Sequence, residues 1–258
     1  MMVFKHSLQI IPNYLITDES FFIYMNLLIR FYLVRIQKYL SQQGILSRRE
    51  AERYLLKGWI KVNGVCVKEL GVRINPELDK VTLHEPQGFV KRLLVAFHKP
   101  PGVVTHSAQK DEFEIKDILP DEFKHLAPIG RLDKASEGLI LLTNHGVWAK
   151  ELLQVKPAHE RVYEVDLNSV LTPKQIEKCE RGIMLFGQKT LPLSCRFLKN
   201  LPMGGARYDW RMFEGKNRQI RRMTQKVGVR VLKLKRLSFG EFQLGALERG
   251  QCHILRSS

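Results

Sequence analysis

The segment Gly130–Gly146, GRLDKASEGLILLTNHG, places a short, unbroken apolar run between two turn-forming stretches. The run covers Leu139–Thr143, follows a glycine, and is ended by asparagine, histidine and glycine. A continuous apolar run of this length between turns is typical of a buried strand. We therefore expect a loop, then a buried strand over Leu139–Thr143, and then a turn.

One carboxylate, Asp133, lies in the loop before that strand, between Arg131 and Lys134. A carboxylate close to a low-dielectric interior needs a charged partner, because otherwise it takes up a proton. Arg131, Lys134 or an arginine from elsewhere in the chain could be that partner. A structural ion pair, a turn-forming aspartate and a catalytic carboxylate are all compatible with this pattern.

The composition of the chain indicates which kind of molecule it binds. The 258 residues carry a formal net charge of +16, and 44% of them are hydrophobic, which indicates a globular protein. Such a positive excess favours a polyanion, with nucleic acid first and an anionic membrane surface second. The four cysteines form no C-x-x-C pair, which argues against a structural zinc site and indicates reduced thiols in a cytoplasmic protein.

Residues 1–33 differ from the rest of the chain. The apolar stretch Phe21–Val34 contains Arg30 and is shorter than the ~20 residues that a membrane-spanning helix needs. No cleavage site of small residues follows it, so a signal peptide is not expected. We expect an extension that is disordered or added by an upstream start codon. An amphipathic membrane anchor is the alternative.

Residues 34–83 contain helix-capping and turn signals that predict a small, separate domain. A first helical pattern ends at Gly44, and a second begins with Ser47 as its N-cap and Glu50 three residues later, which is a capping box. Gly58 marks the end of the second helix. Asn63-Gly64, between two short β-branched runs, predicts a tight β-hairpin.

This small domain is rich in cations. Arg49, Arg53 and Lys57 are four residues apart and share one helix face, where like charges repel unless a phosphate backbone lies against them. An ordinary solvated face is the alternative, because Glu50 and Glu52 balance part of the charge. The residues expected to bind RNA are Arg35, Lys38, Arg48, Arg49, Arg53, Lys57 and Lys61.

The stretch RIQKYLSQQGILSRREAERYLLKGWIKVNGVCV resembles the RNA-binding domain first described in small-subunit ribosomal protein S4. The spacing of the double arginine, the helix-ending glycine and the V-N-G hairpin carries the resemblance. It implies that this domain recognises structured RNA through its shape and its phosphates.

The polar residues 84–92, HEPQGFVKR, predict a linker to a second domain at 93–258. In that domain Lys99 precedes two prolines and a glycine, which predict an extended turn, and it is expected either to contact a phosphate or to be solvated. The residues 160–167, ERVYEVDL, alternate in polarity, so that Tyr163 joins the apolar face of a strand.

The highest density of charge lies between Arg211 and Arg236, a segment that contains ten basic residues and one acidic residue. Within this segment NRQIRRMTQKVG predicts a helix with Asn217 as N-cap and Gly228 as its end. Ile220 and Met223 should face inward. Arg218 and Arg222 should lie elsewhere on the helix and, with Asn217, form a second RNA-facing surface or an anion site.

Four motifs, HKPPGVV, IGRLDKASEGLILLTNHG, ERVYEV and EGKNRQIRRM, together resemble the RsuA-type family of ribosomal RNA pseudouridine synthases. They occur in the order of that family, behind its N-terminal RNA-binding module, over roughly residues 34–255. The resemblance implies an α+β fold in which a small α/β-hairpin module precedes a synthase domain with a mostly antiparallel mixed sheet and flanking helices. The motifs LTNHG and NRQIRRM favour enzymes that act on large-subunit RNA, and among them the RluF type; small-subunit RNA is the alternative.

The resemblance also assigns roles to residues. Asp133 matches the catalytic aspartate, Tyr163 the tyrosine that lies against the target base, and Arg221 the arginine that pairs with the aspartate, which we expect to be a bidentate pair. Lys99 and Pro100 match a motif whose role looks structural. The pocket is expected to be lined by Arg131, Leu132 and Leu234.

Breaking the N1–C1′ bond of uridine and re-forming it at C5 needs no redox partner or group donor, so no cofactor and no metal is expected. The partner implied is ribosomal RNA or a ribosome-assembly intermediate, with no membrane, and the chain is expected to be a monomer in the cytoplasm. A non-catalytic RNA-binding assembly factor is the second interpretation. A metal-dependent nuclease is the third, and it would need clustered carboxylates or histidines.

Overall fold

The computed structural model describes residues 33–84, 91–154 and 158–257, apart from the side chain of Met203. The chain divides into two compact units between residues 87 and 88. The expected extension at 1–33 lies outside the described residues except for residue 33, and so does most of the expected linker. Among the described residues, no helix is both long and apolar enough to cross a bilayer.

In the first unit two helices pack against short strands. Strand β1 (Val34–Arg35) pairs antiparallel with β4 (Arg73–Ile74), and helices α1 (Ile36–Gln42) and α2 (Arg48–Leu56) follow β1. The predicted capping box is confirmed, since Ser47 Oγ accepts from the backbone of Glu50 and the carboxylate accepts from the backbone of Ser47. The core consists of Ile36, Leu40, Leu46, Ala51, Tyr54, Leu55, Ile60 and Ile74.

The predicted hairpin is also confirmed. Strand β2 (Ile60–Val62) pairs with β3 (Val65–Val67) and with β5 (Val81–Leu83). The linking residues Asn63 and Gly64 have φ values of 51° and 84°, as a tight hairpin turn requires. The Asn63 side chain accepts a hydrogen bond from the backbone of Lys80 and donates one to Asp79, which anchors the turn.

The second unit is built around a mixed sheet with helices beside it, as predicted. Its strands are β6 (Leu93–Lys99), β7 (Ala127–Ile129), β8 (Glu137–Thr143), β9 (Arg161–Leu167), β10 (Met184–Leu185), β11 (Gln188–Lys189), β12 (Ser194–Asn200), β13 (Ala206–Met212), β14 (Val231–Phe239), β15 (Phe242–Gln243) and β16 (Cys252–Ser257). Its helices are α3 (Ile115–Ile118), α4 (Gly146–Gln154), α5 (Pro173–Glu180) and α6 (Gln219–Lys226), with 3₁₀ turns at Asp121–Phe123 and Pro202–Gly204.

Within the described residues, the main sheet has the order β12-β13-β9-β14-β8-β6-β16, with β15 beside β14 and β7 beside β8. The pairing of β14 with β8 is parallel and the other pairings of this sheet are antiparallel. Both faces of β8 are covered, because Ile140 and Leu142 join one apolar cluster while Leu139 and Leu141 join another. This double burial explains the unbroken apolar run in the sequence.

The buried strand begins two residues earlier than predicted, at Glu137 instead of Leu139. The prediction left Glu137 in the loop, but its side chain is 3% exposed and contacts Lys233 at 3.1 Å and Arg249 at 2.7 Å. Gly138, at φ 112°, pairs with Arg236 so closely that a Cβ atom would lie 2.2 Å from the Arg236 carbonyl oxygen. The second residue of the strand therefore occupies a position where only glycine fits.

Helix α6 also differs from its prediction at one end. Asn217 is not the N-cap: that position is Arg218, which has left-handed backbone angles (φ 50°) and no capping side chain. Asn217 Oδ1 instead accepts a hydrogen bond from Arg222 at 3.2 Å. The predicted end and inward face are confirmed, since Gly228 (φ 82°) follows the helix and Ile220 and Met223 are buried.

Candidate active site

The loop that carries Asp133 is fixed by side chains of the preceding segment. The Thr105 hydroxyl accepts a hydrogen bond from the Leu132 amide at 3.0 Å and donates one to the Leu132 carbonyl at 2.7 Å, and both residues are buried. The backbone of Gly102 donates to the Lys134 carbonyl at 2.7 Å. Both neighbours of Asp133 in the chain are therefore held in place.

Lys99 completes this support from inside the protein. Its ammonium group donates hydrogen bonds to the carbonyls of Pro100 and Ser136, each at 2.8 Å, and the residue is fully buried. The two expectations for Lys99, a phosphate contact or a solvated side chain, were therefore both wrong, and the structural role implied by the motif is supported. Burial lowers the pKa of Lys99 to about 8, although the charges of Asp133 and Glu137 oppose the shift.

Two arginines of the α6 segment approach Asp133. Asp133 Oδ2 lies 3.7 Å from Arg221 Nε and 3.9 Å from Arg218 Nη1. Lys134, the neighbour in sequence, pairs instead with Glu112 at 2.8 Å. Of the partners that the sequence left open, an arginine from elsewhere in the chain is thus the one observed.

The expected bidentate pair between Arg221 and Asp133 was wrong. Arg221 Nη2 donates to the Ala135 carbonyl at 3.0 Å and the Ser136 hydroxyl at 3.3 Å, and these bonds fix the guanidinium in another orientation. Its Nε is buried and forms no hydrogen bond within the described residues. Burial lowers the pKa of Arg221, with the charge of Asp133 acting against the shift. Asp133 is therefore near positive charge without being held by a short hydrogen bond from this arginine.

Asp133 lies at a cavity of about 160 Å³ in the second unit. The predicted pocket residues Arg131, Leu132 and Leu234 line it together with Asp133 and Tyr163. Tyr163 is buried on the inward face of β9, as its strand alternation predicted. Other apolar lining residues are Ile129, Leu153, Met212, Ile220 and Phe239. Such a lining can hold a planar base out of water while the carboxylate faces it.

Two further arginines that the prediction missed line the same cavity, Arg161 and Arg236. Arg236 is 4% exposed and donates to the Leu139 carbonyl at 2.7 Å. The Arg161 guanidinium lies 5.0 Å from the centre of the Phe239 ring, and burial lowers its pKa. Arg161 was detectable, because it is two residues from Tyr163 and so shares its face of the strand. Arg236 was detectable in the same way, because it is two residues from the predicted pocket residue Leu234 on one strand.

The predicted RNA-binding cations of the first unit are all exposed: Arg35, Lys38, Arg48, Arg49, Arg53, Lys57 and Lys61. In the second unit, Asn217 and Arg218 are exposed and Arg222 is half-buried. The cations between Arg211 and Arg236 do not form one surface, since Arg236 is buried. Within the described residues, no cluster of three or more His, Cys, Asp or Glu side chains could hold a metal ion.

One cavity is lined by a carboxylate, an aromatic ring, apolar side chains and several arginines, an arrangement that suits an enzyme acting on a nucleobase. Residues 93–226 match the RNA pseudouridylate synthase family, and residues 34–79 match the S4 domain. The chain belongs to the RNA pseudouridylate synthase family, and its two matches in this order confirm the predicted RsuA-type assignment. It is an isomerase, and the non-catalytic alternative is not favoured.

Named relatives cover most of the chain. The dual-specificity RNA pseudouridine synthase RluF of Escherichia coli (strain K12) is 35% identical over 221 residues, which are 84% of this chain and 74% of the relative. The ribosomal large subunit pseudouridine synthase B of Bacillus subtilis (strain 168) is 34% identical over 232 residues, covering 86% and 91%. A crystal structure of a pseudouridylate synthase superposes with a TM-score of 0.62 at 27% identity, covering 86% and 96%.

Proposed function

We propose that this chain converts a specific uridine of ribosomal RNA to pseudouridine and that Asp133 is the group that acts on the nucleoside. The observation that carries the proposal is the position of Asp133 at a cavity whose wall includes the Tyr163 ring. We favour large-subunit RNA as the substrate, because one relative, 34% identical to this chain, is named for the large subunit.

The cavity suits the bond exchange. The target uridine has to leave its helix to enter, which costs a few kcal/mol of stacking and pairing. Stacking on Tyr163 offsets part of that cost, since base–aromatic contacts contribute about 1–3 kcal/mol. Leu132 and Leu234 line the cavity together with Tyr163 and offer the base apolar surface to pack against.

The buried arginines have a part in the same reaction. When the N1–C1′ bond breaks, the electron pair stays on the uracil ring, and the Asp133 carboxylate balances the electron-deficient C1′. The ring carries negative charge until that electron pair forms the C5–C1′ bond; C5 then loses its proton and N1 takes one up. Arg161 and Arg236 line the cavity and are oriented by hydrogen bonds to the carbonyls of His159 and Leu139. Fixed positive charge in a site of low dielectric stabilises such a transient anion.

The first unit supplies affinity in this proposal. Its exposed cations, Arg49 and Arg53 among them, bind the phosphates of structured RNA without selecting a base. We further propose that the chain works as a monomer in the cytoplasm, on ribosomal RNA or on a ribosome-assembly intermediate. The named bacterial relatives and the four free thiols support a cytoplasmic site of action.

Release of tritium from ribosomal RNA transcripts labelled at C5 of uridine tests the proposal. We expect release by the wild type and none by Asp133→Asn, which keeps the shape of the side chain and removes its charge. The matched control is Asp121→Asn, an exposed aspartate paired with Lys124 outside the cavity, which should release tritium at the wild-type rate.

Binding to the same transcript is measured in parallel. Asp133→Asn should bind as tightly as the wild type, since the phosphate contacts are unchanged. Tritium release by Asp133→Asn would refute the role of the carboxylate. RNA binding without release by any variant would support the non-catalytic alternative.

A further inference from the structure

The short hairpin β10–β11 exposes an aromatic ring at its tip. Phe186 and Gly187 join the two strands with φ values of 54° and 75°. Asparagine is favoured at the first of these positions, and the hairpin at Asn63-Gly64 in this same chain uses it. A bulky residue with positive φ is strained, and the Phe186 side chain is nevertheless 63% exposed. Neither turn chemistry nor burial accounts for a phenylalanine here.

Helix α6 supplies charge next to this ring. The Arg222 guanidinium lies 4.4 Å from the centre of the Phe186 ring. Its Nη2 donates to Asn217, and its Nε is buried without a hydrogen-bond partner in the described part of the chain. Lys226, one helical turn further on, is exposed. The hairpin and the helix thus present a ring and two cations side by side.

An open cavity of about 530 Å³ lies between the hairpin and the helix. Met184, Leu185 and Phe186 line it from the hairpin, and Arg222, Gln225 and Lys226 from α6, with no carboxylate in the lining. An apolar protein segment would be matched by the hairpin side chains alone. A nucleotide matches the whole set, because its base stacks on the ring while its phosphate meets the cations.

The same helix connects this cavity to the one at Asp133. Arg218 and Gln219 line the Asp133 cavity, and Arg222 and Gln225 line the hairpin cavity. One turn of helix separates Arg218 from Arg222, a rise of about 6 Å. Stacked nucleotides rise about 3.4 Å each along a strand, so the two cavities are offset along α6 by roughly two nucleotides.

We propose that the β10–β11 hairpin and the second half of α6 form a separate binding site for an unpaired nucleotide of the RNA near the target uridine. The base stacks on Phe186, and its phosphate contacts Arg222 and Lys226. This inference rests on the proposed function, which supplies the RNA strand, and it adds a subsite that favours targets flanked by unstacked bases.

Affinity for two RNAs tests the subsite with the full chain. The first RNA is a ribosomal RNA stem-loop transcript with unpaired bases beside the target uridine, and the second is a fully paired duplex of the same length. Phe186→Asn removes the ring and suits the turn, so that the variant should fold at least as well as the wild type, which thermal melting checks. Its affinity for the stem-loop should fall about 5- to 150-fold.

Two further variants separate stacking from general apolar contact. Phe186→Trp should bind the stem-loop at least as tightly as the wild type. Phe186→Leu should bind it as weakly as Phe186→Asn, because leucine keeps apolar surface but cannot stack. Affinity for the duplex should change less than twofold in all three variants.

Equal stem-loop affinity of Phe186→Asn and the wild type would overturn the inference. Wild-type stem-loop affinity of Phe186→Leu would also overturn it and would indicate an apolar protein partner. An affinity for the duplex that falls as much as the affinity for the stem-loop would overturn it as well. Tritium release by the wild type distinguishes this failure from that of the proposed function. If the wild type releases none while the Phe186 variants lose stem-loop affinity, the subsite stands and the isomerase proposal fails.

Discussion

Removing the hydroxyl of Thr105 tests most directly how the Asp133 loop is held in place. Replacement by valine keeps the volume and the branching of the side chain but removes both hydrogen bonds to Leu132. The Leu132 amide and carbonyl are then left unpaired in a buried position, and each such group costs about 1–3 kcal/mol. The two together destabilise the loop by about 2–6 kcal/mol. The loop therefore either moves towards water or lowers the stability of the whole domain.

Movement of the loop displaces Asp133, and a misplacement of ~1 Å costs up to about 10²-fold in rate. We expect Thr105→Val to lower kcat for tritium release by about 10- to 100-fold with little change in KM, because no RNA contact is lost. Thr105→Ser keeps the hydroxyl and should restore most of the rate. If Thr105→Val retains kcat within twofold and its free energy of unfolding is unchanged, the two hydrogen bonds between Thr105 and Leu132 do not position the carboxylate of Asp133.

Three further predictions concern stability and binding. Between pH 8 and 10.5, the free energy of unfolding of the wild type should rise relative to that of Lys99→Met by up to about 3 kcal/mol. The reason is that Lys99 has a pKa of about 8 in the folded protein, whereas an unfolded lysine stays protonated up to about pH 10.5. Urea titrations that give the same difference at every pH would contradict this prediction. Gly138→Ala should cost about 3 kcal/mol or more in the same titrations, since its Cβ meets the Arg236 carbonyl; a loss below about 1 kcal/mol would show that the strands can separate. Arg49→Glu with Arg53→Glu should weaken RNA binding and lower the slope of log Kd against log salt by about 2, and an unchanged slope would remove these residues from the interface.

Features that depend on local chemistry were predictable from the sequence. The Ser47–Glu50 capping box and the Asn63-Gly64 turn each depend on residues within three positions of one another, and both are present. The buried strand and the inward face of Tyr163 followed from periodicity. Asp133 and Tyr163, which the motifs assign to one site, both line one cavity, and their roles stay predictions.

Features decided by distant residues were not predictable. Glu137 looked like a loop residue because its partners, Lys233 and Arg249, are about a hundred positions away. Arg221 was expected to hold Asp133 in a bidentate pair, but its orientation is decided by the Ala135 carbonyl and the Ser136 hydroxyl. Every residue has a backbone carbonyl, so residue types do not reveal which carbonyl accepts a hydrogen bond from a side chain.

The position of β8 has a consequence for the folding cooperativity of the enzyme. One edge of β8 pairs with β6, and the other pairs first with β14 and then with β7. Strands enclosed in this way open only with the whole domain, so their amides exchange with solvent through global unfolding. Asp133 is fastened to the start of this strand, whereas the β10–β11 hairpin forms a separate two-stranded ladder that can open locally. A destabilising substitution within the enclosed strands therefore reduces the amount of folded enzyme and leaves the folded molecules fully active, whereas loss of the Thr105 hydrogen bonds acts on the loop itself.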